Sequence, residues 1–265
     1  MRGKCRICGS YDQLTYEHVP PRSALNSSRQ HLYSGDSIIN LIESDRLPWE
    51  FSGLKWEQKQ RGIGFKTLCA RCNNDTGAWY ADAFSDFVLQ AFREIARRRL
   101  THKSVERISL YEIYPLRIIK QIVAMFCSIN DANMLETYPE LRAFLLNKER
   151  KGLAADDFRI SLYLTIGEIG KYIGRAVIMK RKEDGEIQNL AVSELSFPPF
   201  GSVLQFEPYS DNDIPGLYCI NFFANNFNYD EAVSINLELP VLECNTQYPC
   251  DFRTKEQIIS NFDLD

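Results

Sequence analysis

Cys5-Arg6-Ile7-Cys8-Gly9 and Cys69-Ala70-Arg71-Cys72 are the stretches that decide the N-terminal fold. Each is a Cys-x-x-Cys knuckle, and two knuckles supply four thiolates, the tetrahedral donor set of a structural zinc. Gly9 follows the first pair and permits the tight turn that aims backbone amides at sulfur. The pairs stand 61 residues apart, from Cys8 to Cys69, so the segment between them must hold structure of its own. Redox chemistry at one pair is the competing reading. The opening MRGKCRICGS has no apolar leader, which makes a cytoplasmic, reducing location the expectation. There, paired cysteines point to metal before disulfide. Cys127 and Cys219 read as core thiols, and Cys244 and Cys250 as unmodified thiols.

Working outward, Leu14-Thr15-Tyr16-Glu17-His18-Val19-Pro20-Pro21-Arg22 follows the first knuckle, and Asn73-Asn74-Asp75-Thr76-Gly77 follows the second. Two cysteine pairs, Glu-His-x-Pro and Cys-Asn in this order resemble the HNH endonuclease superfamily over about a third of the chain. The resemblance implies a treble-clef, ββα-metal module. It also implies a phosphodiesterase activity, on DNA rather than RNA, of the kind found in phage-defence and mobile-element systems.

The residue types suit that chemistry. Hydrolysis needs a water activated near neutral pH, where imidazole titrates, so His18 is the candidate general base. Glu17 and Asn73 offer oxygen ligands for a catalytic Mg2+ or Mn2+. A guanidinium fork suits phosphate, which makes Arg22 a candidate contact. Each has a rival role: His18 can brace the knuckle, Asn73 can cap a helix, and Asp75 can complement a helix dipole. His31 and His102 read as surface histidines. The sequence departs from the family at Gly64, nine residues before Asn73, where an asparagine usually braces the histidine loop. Glutamate also replaces the commoner aspartate.

Net charge is -4 overall but unevenly spread. Residues 1–107 hold 17 Lys+Arg against 12 Asp+Glu, and residues 108–265 hold 14 against 23. Phosphate binding needs only local positive charge. Arg97, Arg98 and Arg99 are the densest basic run, and they read equally well as a phosphate track or as the solvated end of a helix. Trp79 and Tyr80 favour core packing over stacking on bases.

The chain reads as an α+β protein. An HNH-like zinc-knuckle domain is expected over 1–107, and a helical plus antiparallel-β domain of open role, offering a surface for a protein partner or a second copy, over 108–265. Residues 23–62 read as polar loop. Helices are expected from Ala78 to about Leu100, from Pro115, and over 139–148. Strands are expected at 159–166, 171–180, 187–193, 202–207, 217–224 and 233–239, with a hairpin turn at Lys182-Glu183-Asp184-Gly185. No apolar run approaches the ~18 residues of a membrane span.

Overall fold

The computed structural model describes residues 1–42, 46–154, 157–167, 169–181, 185–208, 214 and 216–262. Strands β1 (Arg2–Lys4) and β2 (Tyr11–His18) flank the first knuckle. The segment read as loop instead contains β3 (Gln30–Tyr33), α1 (Gly35–Ile42) and β4 (Trp56–Lys59), with β3 and β4 paired antiparallel. Strand β5 (Gly64–Cys69) pairs antiparallel with β2 and leads into α2 (Ala70–Thr76). A π turn over Gly77–Ala81 joins α2 to α3 (Asp82–Ile95), so one helical rod follows the second knuckle. Phe84, Phe87, Val88, Ala91 and Ile95 face the core from it, as their spacing requires.

Beyond the rod come β6 (Val105–Ile113), α4 (Pro115–Ile129), α5 (Met134–Thr137) and α6 (Pro139–Leu146). Then follow β7 (Phe158–Ile166), β8 (Lys171–Arg181), β9 (Ile187–Phe197), β10 (Phe200–Phe206), β11 (Tyr218–Cys219), α7 (Phe222–Asn226), β12 (Val233–Glu243) and α8 (Lys255–Phe262). The large sheet runs β6-β12-β7-β10-β9-β8, with β11 also against β7. It is mixed and not purely antiparallel, because the last residues of β12 run parallel to β7. The hairpin expected at 182–185 falls largely on residues 182–184, which lie outside the described residues.

The run 217–224 corrects another expectation. Only Tyr218 and Cys219 are strand, and a helix follows. Asn221 ends the ladder by taking β7's backbone groups itself, donating to the Phe158 carbonyl at 2.7 Å and accepting from the Ile160 amide at 2.8 Å. Cys219 is consequently exposed and not a core thiol, whereas Cys127 and Cys244 are buried.

Helix α4 is the hub. It is buried along most of its length, Lys120 and Gln121 included, between the cysteine-knuckle module and the sheet. A continuous apolar cluster runs from Cys5 and Ile7 through α3 and α4 to Phe200 and Val241. The Phe87 and Phe200 rings stack at 4.6 Å within it. Position 107, the expected domain boundary, falls inside β6.

Candidate functional site

Cys5, Cys8, Cys69 and Cys72 converge, with all four sulfurs within 4.8 Å of one another. Local backbone explains the convergence. The Cys5 amide donates to the Ser10 carbonyl and the Gly9 amide to the Cys5 carbonyl, with Gly9 at φ +79°. The Arg6 amide then bonds Thr67 on β5 at 3.0 Å, which ties the first knuckle to the second. Zinc–sulfur bonds of about 2.3 Å in a tetrahedron place sulfurs about 3.8 Å apart. Cys8 and Cys69 stand 3.8 Å apart. The Cys72 thiol hydrogen-bonded to Cys5 lowers the Cys5 thiol, the direction a zinc ligand needs. The donor set fits a structural zinc.

The knuckle is docked onto the later helices. Arg6 donates to the Ser128 carbonyl at 2.6 Å, Arg142 to the Ile7 carbonyl at 3.1 Å, and Lys4 pairs with Glu136 at 2.6 Å. Arg142 also lies over Gly9, where a Cβ would meet its guanidinium at 3.2 Å.

His18, at the end of β2, is half-buried. Its Nε2 lies 3.0 Å from the Arg61 carbonyl. A carbonyl only accepts, so Nε2 is the donor here, and in the neutral ring that tautomer leaves the lone pair on Nδ1. Tyr16 packs edge-on to the ring at 5.1 Å. Asn73, in the first turns of α2, is laid against the same strand, its amide nitrogen donating to Thr15 Oγ1 at 3.0 Å and to the Tyr16 carbonyl at 3.1 Å.

Glu17 does not join them. It is only 8% exposed, and its carboxylate accepts the Ser128 hydroxyl from α4. Burial pushes its pKa up to about 7 against the pull of Ser128 and Arg6. The oxygen pair expected for a second divalent ion is therefore not assembled, since the Glu17 carboxylate is sealed beneath α4, while the Asn73 amide nitrogen is tied to β2. Among the described residues, the four cysteines are the group able to hold a metal.

Bracing of the histidine loop comes from Asn26, which the sequence reading passed over. Its amide donates to the Pro20 and Ile63 carbonyls, both at 2.7 Å, and its carbonyl accepts the Ile63 amide at 2.8 Å. Asn26 is fully buried. The signal lay in Asn26-Ser27-Ser28, which reads as turn composition and conceals a buried clamp.

Arg22 is exposed, and so are Arg97, Arg98 and Arg99 just past the C-terminus of α3. Arg98 is held by Glu94 at 2.8 Å and Glu106 at 3.2 Å. The arginines stand about 25 residues along the rod from Asn73, roughly 35 Å at 1.5 Å per residue. Trp79 and Tyr80 pack inward, the Tyr80 hydroxyl donating to Leu145 at 2.7 Å. Asp75 pairs with Arg71 at 3.6 Å within α2. His31 is exposed and stacks on Trp56 at 4.1 Å, whereas His102 has both ring nitrogens buried without partners.

Compared with known proteins, the chain matches no family model, no curated protein and no solved structure. No helix among the described residues is long and apolar enough to cross a membrane.

Proposed function

We propose that the chain is a nucleic-acid hydrolase of the HNH type, with His18 as general base on a zinc-clasped ββα frame. One observation carries the reading: the half-buried imidazole is fixed through Nε2 to the Arg61 carbonyl, on the same strand against which Asn73 is laid. A water there would attack phosphorus as Nδ1 takes its proton. The P–O3′ bond would break, and the leaving oxygen would be protonated from solvent. Arg22 would meet phosphate locally. Arg97, Arg98 and Arg99, exposed at the end of α3, would meet the phosphate backbone of the same duplex.

A second reading, a zinc-knuckle module that binds nucleic acid without cutting it, is favoured by Glu17. Its carboxylate is taken up by Ser128 and is not offered to a divalent ion. One experiment separates the two. Supercoiled plasmid is incubated with the protein and Mg2+ or Mn2+, beside His18→Ala. Nicking by the native chain that disappears in the variant, with the gel shift retained, supports hydrolysis. A shift without nicking supports the binding module, and neither effect sinks both.

A further inference from the structure

The β3–β4 hairpin carries an aromatic pair that the fold leaves in solvent. His31 lies opposite Gln58 and Tyr33 opposite Trp56, so His31 and Trp56 share one face as diagonal neighbours. Their rings stack at 4.1 Å with 27° between the planes. Trp56 is nevertheless 50% exposed, and His31 is exposed beside it. An indole left half in water contributes little to the core. Held in one orientation by a histidine, it is a platform on which a second flat ring can lie.

The charge around this platform has one sign. Residues 29–33 and 55–61 hold four Lys+Arg against one Glu. Lys59 neutralises that acid, Glu57, at 2.7 Å. Arg29, Lys55 and Arg61 are exposed and make no ion pair among the described residues. In the strand register Lys55 lies at the Trp56 end of the hairpin, and Arg29 and Arg61 lie at the other. Free cations at both ends of an exposed aromatic face match a polyanion whose bases are open to stacking. That is a single strand, because duplex bases are already covered by their neighbours.

The hairpin also ends at the His18 face. Strand β4 runs into Gln60, which bridges to Gly62. The Arg61 carbonyl between them holds His18 Nε2 at 3.0 Å, and the Gly62 carbonyl accepts the Tyr16 hydroxyl at 3.2 Å. We infer that the β3–β4 hairpin binds an unpaired stretch of nucleic acid, with a base on Trp56 and backbone phosphates on Arg29, Lys55 and Arg61. The hairpin's role rests on the nucleic-acid reading above and adds the class of substrate, a strand with unpaired bases.

The test follows anisotropy of a labelled oligothymidine of about 20 nucleotides, longer than the roughly 4–16 that one single-strand site spans. The same strand annealed to oligoadenosine is the duplex control. Trp56→Ala should weaken the single strand about tenfold, as the loss of one base stack allows, and leave duplex affinity unchanged. Trp56→Phe keeps a ring and should lose less. Replacing Arg29 and Lys55 together by alanine should flatten the salt dependence of single-strand binding by about 1.4, from two phosphate contacts at about 0.7 each. Native single-strand affinity in Trp56→Ala, or equal weakening of strand and duplex, overturns the hairpin assignment and leaves the nucleic-acid reading standing. Binding of neither oligonucleotide by the native chain sinks both. Binding that depends on Trp56 without any plasmid nicking supports the hairpin and removes only hydrolysis. Should Trp56→Ala fail to fold, the salt dependence of the Arg29→Ala, Lys55→Ala chain decides.

Discussion

Gly64 stands where the resemblance expects asparagine, and the structure gives the reason. A Cβ there would collide with the Glu17 carbonyl oxygen and with the Tyr16 ring carbons at 2.8 Å, because β2 and β5 approach too closely for any side chain. Gly64→Asn should therefore wreck the strand pair rather than restore a missing function. Even Gly64→Ala is expected to cost about 2 kcal/mol or more in denaturant unfolding, a typical overpacking penalty, and a neutral result would refute the close approach. The loop after His18 is clamped by Asn26, eight residues on, which no spacing rule reveals. Glu17 supplies a second prediction. Its pKa rises from 4.5 to about 7 on folding, because burial disfavours the charged form. A raised folded value means that stability is fully present below pH 4.5 and is lost as pH climbs through 7. Glu17→Gln lacks that loss, and Gln still accepts the Ser128 hydroxyl. Relative to the native chain, the variant should gain on the order of 3 kcal/mol between pH 5 and pH 8, read from urea midpoints. Parallel pH profiles for the two proteins would show that the carboxyl is not buried.

At the scale of elements, hydrophobic periodicity was enough to find the rod after Cys72, α4, α6 and the main strands, since each must bury one face. It was not enough where neighbours decide. Strand β6 alternates properly, burying Ile108 and Leu110 and exposing Val105 and Arg107, but the basic run before it reads as a helix end. The direction of β12 beside β7 leaves no trace in either strand's pattern. Helix α4 is a further case, because Lys120 interrupts an otherwise apolar face and still has no exposed surface. Its ammonium donates to the Phe144 carbonyl and, at 2.9 Å, to that of Asn147, so it closes the C-terminus of α6. It also sits 3.9 Å from the centre of the Phe144 ring. Lys120→Ala would leave the Phe144 carbonyl unmet, take one of two donors from the Asn147 carbonyl, which also accepts the Arg150 amide at 3.0 Å, and open a cavity. A loss of about 3–5 kcal/mol is expected, with Lys120→Met recovering the packing but not the bonds. If alanine and methionine cost the same, the packing contributes nothing and the hydrogen bonds carry the whole loss; if methionine costs nothing, the hydrogen bonds contribute nothing.

For the whole molecule, the decisive question is whether the zinc knuckle stands alone. The sequence suggested a boundary between residues 100 and 115, with the helix from Ala78 shared by both parts. The packing instead passes through it: Arg6, Arg142 and Lys4 tie the knuckle to α4, α5 and α6, and the apolar cluster is shared from Cys5 to Val241. Metal binding in such a site is folding energy, because the unfolded chain holds no preformed tetrahedron. Since that energy acts on a shared core, removing the ion should weaken the entire chain. The protein as isolated should contain one zinc per chain, and in calorimetry it should unfold in a single transition. Chelation should move that transition down by 10 °C or more, at roughly 2–4 °C per kcal/mol for a chain of this size, and zinc should restore it. Two transitions, of which only the lower one answers to chelator, would mean that the knuckle is an appendage and that the contacts to α4 contribute little. In that case the seal over Glu17, which depends on Ser128 of α4, would fail with them. The carboxylate would then be free to join Asn73 around a divalent ion, and the balance between hydrolysis and simple binding would shift accordingly.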